Sequence, residues 1–391
     1  MDIATARSYL PADLESALLV GRVWRKTTSF EGPCVVVVRN GKMIDITNIA
    51  PTTADLFDRA DLLHVARAGE GEDVGDAAEI MAQQFSQQTP QVKLLAPCDV
   101  QAIKACGVTF AVSLIERVIE EQAGGDASRA NEVRTTIQQT IGSDLSHIVP
   151  GSDAAMRLKA ELTERGLWSQ YLEVGIGPDA EVFTKAQPMS SVGSGDEVGL
   201  LPASSWNNPE PEVVIAVNAR GETVGATLGN DVNLRDIEGR SALLLGKCKD
   251  NNASCAIGPF VRLFDESFTI DTVRSVSVSL RIEGTDGFEL EGVSHMKAIS
   301  RDPLDLVSQA HGAHHQYPDG FMLFLGTMFS PVKDRHGAGA GFTHELGDTV
   351  TISTGTLGAL VNRVGLCTEV PPWVFGTRAL FRNLAARGKH V

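Results

Sequence analysis

The chain has 391 residues, 43% of them hydrophobic and 21% charged, and carries a formal net charge of −15 at pH 7. That length exceeds the size at which one hydrophobic core usually stops growing, so we expect two domains or one domain with a large appendage. The negative charge argues against nucleic acid as a partner, and no apolar run reaches the roughly 20 residues that a membrane helix needs.

The cysteines and the first residues bear on where the protein works. Six cysteines are scattered without C-x-x-C pairs, which is typical of reduced, buried thiols rather than of a disulfide framework or a zinc site. The first residues contain no basic segment followed by an apolar stretch, so we expect no secretory signal. We therefore predict a cytoplasmic protein.

In chain order, residues 1–88 predict a small α+β module. Short β-like runs flank the pair Asn40-Gly41, which is typical of a tight hairpin turn, and a helical pattern follows. We expect a second, β-rich domain over residues 89–391. Within it, the apolar spacing between about 111 and 172 indicates a helical insertion.

Strands dominate the predicted structure from about residue 180. Short runs separated by Gly, Asn, Pro and Asp follow one another without long helices, which favours an antiparallel or mixed sheet over a doubly wound parallel sheet. A short helix is predicted after Asp302, with Pro303 in its first turn. His311, His314 and His315 would lie on that helix. Because no H-E-x-x-H pattern accompanies them, we favour a polar face or a subunit contact over zinc binding.

A β-hairpin is predicted by the segment NNPEPEVVIAVNARGETVGATLGNDV, with its turn near Arg220 and Gly221. Side chains two positions apart in a strand share a face, so Glu210 and Glu212 lie side by side. If the hairpin keeps its register, Asp231 lies opposite Glu210. The hairpin therefore predicts three converging carboxylates.

This acidic face has two explanations. Like charges on one face repel each other, more strongly when burial removes water, so a positive group must lie among them. Carboxylate oxygens suit Mg²⁺, Mn²⁺ or Ca²⁺ and leave coordination positions for water or an oxygen-rich substrate. Alternatively, Glu210 and Glu212 are solvated residues of an edge strand, which would suit Pro211 because proline is largely confined to sheet edges or bulges.

Several motifs occur in an order that resembles the catalytic domain of the fumarylacetoacetate hydrolase superfamily. They are E-x-E at 210–212, N-D-x-x-x-R-D at 230–236, G-K at 246–247 followed by G-P at 258–259, G-T at 326–327, and L-G-D-x-V…G-x-L-x-N-x-V at 346–364. The resemblance covers about residues 92–370, and the amino-terminal module also looks like the one that precedes this domain in longer members. It implies an α+β fold whose catalytic domain is a mixed β-sheet roll.

The resemblance also implies a metal site and a substrate class. Glu210, Glu212 and Asp231 match the metal ligands of the family, with Mg²⁺ the usual ion and Mn²⁺ or Ca²⁺ as alternatives. The substrate would be a small 2-oxo acid. A site with a net charge of about −1 after metal binding needs positive side chains before such an anion enters. The resemblance further implies a homodimer or a higher homo-oligomer.

Other site residues follow from the same resemblance. Lys247, in the G-K motif, matches a catalytic lysine, and Thr327, in the G-T motif, matches a residue that contacts the substrate carboxylate. Lys185 matches a lysine at the mouth of the site, with Ser190 close behind it. Lys249 is expected to border the site only because it follows Lys247.

One segment departs from the hydrolase pattern. Hydrolases of this superfamily often carry N-Y-x-x-H-x-x-E, whose histidine and glutamate activate the attacking water. Here the stretch runs from Thr109 to Glu116, and Ser113 stands in place of the histidine. Hydrolysis of a carbon–carbon bond is harder to explain without that base. The pattern instead resembles the branch that dehydrates 2-keto-3-deoxy sugar acids, such as 2-keto-3-deoxy-xylonate or its arabinonate relative.

We therefore expect a magnesium-dependent dehydratase of pentose catabolism that converts a 2-keto-3-deoxy-pentonate to 2,5-dioxopentanoate. A base would take a proton from C3 and the C4 hydroxyl would leave. Lys247 and Glu116 are the candidate base and acid, although a lysine acts as a base only if its pKa is lowered. Glu116 equally fits a helix-surface residue paired with its neighbours.

Two other functions stay open at this point. One is hydrolysis of a 2,4-dioxo acid, with water activated by Glu116 or by another group in place of the missing histidine. The other is non-catalytic, metal-stabilised binding, which requires the carboxylates to be present in a closed site. His295 and His344 lie in family-like segments, and the sequence assigns no role to either.

Overall fold

The computed structural model describes residues 1–86, 90–141, 148–164, 166, 168–329, 331–337 and 340–389. The amino-terminal part combines helices and strands, as the sequence predicts. Its elements are α1 (Ile3–Ser8), β1 (Leu19–Lys26), β2 (Glu31–Arg39), β3 (Lys42–Asp45), α2 (Thr53–Phe57), α3 (Leu62–Ala68), β4 (Glu72–Asp76), α4 (Ala77–Ser86) and β5 (Val92–Leu95).

The predicted helical insertion is confirmed, and it lies between two strands of the main sheet. Its helices are α5 (Ala111–Ala123), α6 (Ala127–Ile141), α7 (Asp153–Glu164) and α8 (Gln170–Ile176), and the strands on either side are β6 (Ala102–Gly107) and β7 (Glu181–Ala186). Leu114 and Ile119 of α5 pack with Leu172 of α8 in a small core of their own. Helix α5 ends at Gly124, whose φ of 65° lies in the left-handed region that glycine adopts readily.

The remaining chain is rich in strands, as predicted. Two 3₁₀ turns over Ala242–Leu244 and Met296–Ala298 accompany its other elements. These are β8 (Glu197–Leu200), β9 (Asn207–Asn208), β10 (Pro211–Val217), β11 (Thr223–Asp231), β12 (Asn233–Leu234), α9 (Arg235–Glu238), α10 (Leu245–Lys249), β13 (Cys255–Leu263), α11 (Ile270–Val273), β14 (Ser277–Glu283), β15 (Glu289–His295), α12 (Pro303–Ala310), β16 (Phe321–Phe324), β17 (Thr349–Thr354), β18 (Gly358–Leu366) and α13 (Thr377–Ala386).

An eleven-stranded mixed sheet runs through both predicted parts of the chain. Its order is β4-β3-β2-β1-β13-β11-β10-β16-β6-β7, and β5 pairs with β1. Strand β1 pairs antiparallel with β13, with Leu19 opposite Arg262 and Val20 opposite Val261. Main-chain hydrogen bonding of this sheet therefore crosses the expected boundary after residue 88. The division into two domains stays a prediction.

A second sheet of five strands, in the order β15-β14-β17-β18-β8, packs on the first. Val213 and Ile215 of β10 share one buried cluster with Leu280 of β14 and Ile352 of β17. The apolar side chains of the two facing sheets thus form the largest core. The molecule is a sheet-rich α+β fold, which confirms the predicted fold class.

The hairpin of β10 and β11 has the predicted register. Glu212 pairs with Gly229, and Pro211 pairs with Asn230, so the Asp231 N–H donates to the Glu210 carbonyl at 3.0 Å. Strand β10 lies between β11 and β16, inside the sheet rather than at its edge. The edge-strand explanation of the acidic face is therefore wrong. The proline is accommodated because it is the first residue of its strand.

The prediction of one helix carrying three histidines is wrong. Helix α12 ends at Ala310, and His311 has extended backbone angles as its cap residue. Gly312 and His315 then close a turn through their main-chain groups. The chain leaves the helix at His311, so His311 and His315 do not share a helix face. In the part of the chain that the structure describes, no helix has both the length and the hydrophobicity to cross a membrane.

Candidate metal centre

The three predicted carboxylates converge at one end of the hairpin. Glu210 directly precedes β10, Glu212 is its second residue, and Asp231 ends β11. One oxygen from each carboxylate can be chosen so that all three lie within 4.8 Å of one another. The three residues are only 1–2% exposed. Strand alternation and hairpin register thus bring the three buried carboxylates close together.

Two ammonium groups lie among these carboxylates. Lys249 Nζ is 2.6 Å from Glu210 Oε2 and 3.1 Å from Asp231 Oδ2. Lys185 Nζ is 2.9 Å from Asp231 Oδ1, without the alignment of a hydrogen bond, so that oxygen has no hydrogen-bond donor among the described residues. With all three carboxylates ionised, these five side chains carry three negative and two positive charges, which leave a net charge of −1.

The carboxylates differ in their environments. Burial, together with the charges of Asp231 and Glu210, raises the pKa of Glu212 well above its ordinary value. Its Oε2 accepts a 2.6 Å hydrogen bond from the Gly326 N–H. Burial alone would also raise the pKa of Asp231, but Lys185 and Lys249 outweigh it, and the net pKa is lowered. Positive charge therefore outweighs burial at Asp231, whereas at Glu212 burial and the neighbouring carboxylates prevail.

This donor set fits a hard divalent cation. All three side chains are buried and offer carboxylate oxygens, which are the ligands that such a cation prefers. A cation of charge +2 would relieve the repulsion at Glu212 and change the net charge of the cluster from −1 to +1. A positive, buried cluster attracts a small organic anion. The residues are thus suited to Mg²⁺, and Mn²⁺ or Ca²⁺ take the same kind of ligand.

Two lysines are placed differently from the sequence prediction. Lys247 is exposed on the short helix α10, and the structure does not bring it to the carboxylates. Lys249, in the last turn of the same helix, is the lysine that reaches them. Lys185 does belong to the cluster, but it is fully buried at 0% exposed rather than placed at a mouth. Of the two lysines in α10, the structure therefore favours Lys249 as the lysine of the carboxylate cluster.

The other predicted residues differ in whether they contact the cluster. Thr327 is buried and follows Gly326, the residue that donates to Glu212, so it lies beside the cluster. Glu116 is buried in α5, where it accepts a 2.8 Å hydrogen bond from Arg134 and so pairs with α6. Ser190 donates to the Gln187 carbonyl and has no contact with the three carboxylates among the described residues.

A comparison with protein families decides the relationship of the chain. The model described as fumarylacetoacetate (FAA) hydrolase C-terminal matches residues 164–365. The chain belongs to the fumarylacetoacetate hydrolase family. The matched range includes Lys185, Lys249 and all three carboxylates, and it confirms the resemblance that the order of motifs indicates.

Two relatives of this family member carry dehydratase names. A probable 2-keto-3-deoxyxylonate dehydratase of Haloferax volcanii is 31% identical over 206 residues, which are 53% of this chain and 67% of that protein. A 2-dehydro-3-deoxy-D-arabinonate dehydratase of Saccharolobus solfataricus is 30% identical over 184 residues, which are 47% of this chain and 58% of that protein. Both names belong to the branch that the sequence resembles.

Solved structures confirm the fumarylacetoacetate hydrolase fold. The structure of 2-keto-3-deoxy-D-arabinonate dehydratase complexed with magnesium and 2,5-dioxopentanoate superposes with a TM-score of 0.61 at 20% identity, covering 89% of this chain and 99% of that one. A fumarylacetoacetate hydrolase from Exiguobacterium antarcticum superposes with a TM-score of 0.52 at 17% identity, covering 90% and 100%. At these identities the likeness shows the fold alone.

The structure of this family member also reveals a site residue that the sequence analysis missed. Arg117 of α5 is buried and forms ion pairs with Glu120, Glu210 and Glu238. A motif covers its neighbour Glu116, whereas none covers Arg117. The spacing of Arg117 and Glu120, three apart on a helix, was the one available signal, and it is common on exposed helices.

A second missed residue is Glu181, the first residue of β7. It shares a strand face with Phe183 and Lys185, and the Phe183 ring lies 5.8 Å below the Lys249 ammonium. Burial, together with the charge of Glu238, raises the pKa of Glu181 to about 7. Within the described residues its carboxylate has no hydrogen-bond or ion-pair partner. A carboxyl group with such a pKa can exchange a proton near neutral pH.

Proposed function

We propose that the protein is a magnesium-dependent hydro-lyase that dehydrates a 2-keto-3-deoxy-pentonate, such as the xylonate or arabinonate derivative, to 2,5-dioxopentanoate. The observation that carries this proposal is the buried cluster of Glu210, Glu212 and Asp231 with two lysines beside it. The two dehydratase-named relatives support the reaction and the substrate class. A place in pentose catabolism would follow from that substrate.

The cluster supplies what such a reaction needs from the protein. Glu210, Glu212 and Asp231 would hold Mg²⁺, which supplies Lewis-acid polarisation of a 2-oxo acid. Lys185 and Lys249 balance most of the carboxylate charge, so that an anionic substrate is not repelled. Thr327, beside Gly326, remains our proposed contact for the substrate carboxylate. Ser190 is proposed only as a residue of the approach to the site.

Dehydration requires a proton to leave C3 and a proton to reach the departing C4 hydroxyl. Burial would lower the pKa of Lys249, but Asp231 and Glu210 outweigh it and raise the pKa well above its ordinary value. Without a bound cation Lys249 therefore keeps its proton, and its ammonium lies at the cluster, where it can donate. We propose Lys249 as the acid in place of Lys247. Glu181 is the proposed base, since Glu116 is engaged with Arg134.

A direct assay separates this function from the alternatives. The protein would be incubated with Mg²⁺ and with a panel of 2-keto-3-deoxy acids and acylpyruvates, and the products would be scored as semialdehyde or as pyruvate. Semialdehyde from a 2-keto-3-deoxy-pentonate is the expected result. Pyruvate release from acylpyruvates alone would overturn the dehydratase proposal in favour of hydrolysis of a 2,4-dioxo acid.

A second candidate function is metal-stabilised binding without turnover. The near-complete burial of the three carboxylates favours it, because a substrate must reach oxygens that are 1–2% exposed. No turnover of any panel member, with Mg²⁺ binding demonstrated by calorimetry, would support this candidate. The same calorimetry on Glu212→Gln tests the metal site itself. We expect a loss of binding in Glu212→Gln and none in Glu222→Gln, an exposed glutamate in the turn of the same hairpin.

Other expectations from the sequence stay predictions. A cytoplasmic location and a homodimer or higher homo-oligomer were expected, and light scattering would measure the latter. His295 forms a 2.7 Å hydrogen bond with exposed Ser277, and His344 pairs with buried Asp348 at 3.3 Å. Neither contact places these histidines at the carboxylate cluster, so we assign them no role in the reaction.

A further inference from the structure

A buried guanidinium group connects the helical insertion to the carboxylate cluster. Arg117 lies in α5, and its side chain is 9% exposed. One of its nitrogens pairs with Glu210 Oε1, and the other pairs with Glu120 and, at 3.0 Å, with Glu238. Glu210 is a proposed metal ligand, whereas Glu120 belongs to the insertion and Glu238 to α9.

Both oxygens of Glu210 are held by positive side chains. Arg117 pairs with Oε1, and Lys249 Nζ lies 2.6 Å from Oε2. The orientation of this carboxylate is therefore set from two sides, by the helical insertion and by α10. A planar guanidinium can serve several carboxylates at once in fixed directions, which a lysine ammonium at the same position cannot reproduce.

The far side of Arg117 is anchored in turn. Glu120 lies 3.2 Å from Arg235 Nε, and the same Arg235 nitrogen donates a 2.8 Å hydrogen bond to Asn208 Oδ1. Asn208 immediately precedes the segment of Glu210 and pairs, in β9, with Asn233 of β12. The contacts thus form a closed path from the metal ligand through α5 and α9 back to the start of β10.

We propose that Arg117 is a positioning residue: it fixes the orientation of Glu210 for the metal and couples metal binding to the order of helix α5. This inference rests on the proposed metal site and adds a residue and a coupling to it. Coupling of this kind is reciprocal, so metal binding stabilises α5 by the same free energy by which the order of α5 strengthens metal binding.

The test uses the full chain and two readouts that do not depend on turnover. Mn²⁺ affinity is measured by electron paramagnetic resonance of the free ion, and hydrogen exchange of α5 is measured with and without Mn²⁺. In wild type, Mn²⁺ is expected to slow exchange in α5. Arg117→Lys keeps the charge but loses the fork of contacts, so we expect about tenfold weaker Mn²⁺ binding and no metal-induced slowing.

Arg25→Lys is the matched control. Arg25 is also a buried arginine between two carboxylates, 2.5 Å from Asp45 and 2.7 Å from Glu72, away from the metal cluster. In Arg25→Lys, the Mn²⁺ affinity and the metal-induced slowing of exchange in α5 should equal those of wild type. Retention of both properties in Arg117→Lys, with affinity within threefold of wild type, would overturn the inference.

Two further outcomes are distinguishable. If circular dichroism shows that Arg117→Lys does not fold, Glu238→Gln decides the matter, because it removes one anchor of Arg117 and leaves every proposed metal ligand intact. Weaker Mn²⁺ binding and reduced slowing of α5 in that variant support the inference, and wild-type values overturn it. A wild-type protein that binds no Mn²⁺ overturns the proposed function itself.

Discussion

Lys249 and Lys247 offer a test of the site at the scale of single residues. Lys249 contacts Glu210 and Asp231, whereas Lys247 is exposed on the same helix. We expect Lys249→Gln to lower kcat at least a hundredfold, a size typical of losing a positioned acid. Lys247→Gln should stay within twofold of wild type. Steady-state kinetics of both variants checks this, and a severe loss in Lys247→Gln alone would restore Lys247 as the catalytic lysine.

The choice between these two lysines shows that the sequence alone does not determine which side chain of a short helix faces the site. Side chains two positions apart on a helix differ by about 200° around its axis, so only one of the two lysines can face the carboxylates. The G-K motif draws attention to Lys247, but the phase of the short helix α10 turns Lys249 inward. By contrast, Glu210, Glu212 and Asp231 could be placed from the sequence, because strand alternation and a two-strand register are local rules.

Glu181 predicts a pH effect with a definite sign. Its pKa is raised to about 7 from an ordinary value of 4.5, so the folded protein binds more protons than the unfolded chain between these values. Stability therefore falls as the pH rises through this window. Glu181→Gln cannot ionise, so its stability relative to wild type should increase between pH 5 and pH 8, by at most about 3 kcal/mol, reduced by residual exposure.

Denaturant unfolding of wild type and Glu181→Gln at pH 5 and pH 8 measures this difference. Other groups that titrate in the window, such as Glu120, whose pKa is also raised to about 7 by burial, affect both proteins equally. The difference between the two proteins therefore isolates Glu181. Equal stability differences at both pH values would show that this carboxyl titrates normally.

At the scale of elements, the turn after β16 supports the metal site through its main chain. Gly326 has a φ of 102°, and a Cβ atom added there would lie 2.0 Å from Thr109 Oγ1. Its N–H holds Glu212. Gly326→Ala should therefore lower stability by about 1–3 kcal/mol and weaken Mg²⁺ binding, because the turn must shift.

A matched glycine separates backbone strain from the loss of space. Gly287, in the turn between β14 and β15, has a φ of 82° with nothing within 4 Å of an added Cβ. Gly287→Ala should lower stability through strain alone and leave Mg²⁺ affinity unchanged. Thermal unfolding and calorimetry on both variants check the pair. Unchanged Mg²⁺ affinity in Gly326→Ala would mean that this turn does not position Glu212.

Elements differ in how well the sequence predicts them. The hairpin of β10 and β11 and the helical insertion were predicted correctly, because each is specified by periodicity within a short segment. Helix α12 ends before the three histidines, because the backbone becomes extended at His311, and the apolar spacing does not reveal that change. Short-range patterns thus predict the presence of elements better than their ends.

At the scale of the molecule, the joining of the amino-terminal strands to the main sheet could not be predicted. Strand β1 pairs with β13, some 240 residues later, and no local pattern encodes such a partner. The same holds for the ion pair between Asp13 and Arg262, whose atoms lie 2.6 Å apart. Contacts of this range depend on the assembled fold, so the sequence suggests a separate module where the structure shows a continuous sheet.

A continuous sheet should unfold as one unit. If main-chain pairing across residue 88 couples the two parts, calorimetry should show a single transition, and destabilising either part should move all of it. Val20 is fully buried opposite Val261, so Val20→Ala is expected to lower the free energy of unfolding by about 1–3 kcal/mol and shift the whole transition. Val293→Ala, at a site 58% exposed on β15, should change it by less than about 0.5 kcal/mol. Two transitions, of which only one responds to Val20→Ala, would instead establish the two domains that the sequence suggests.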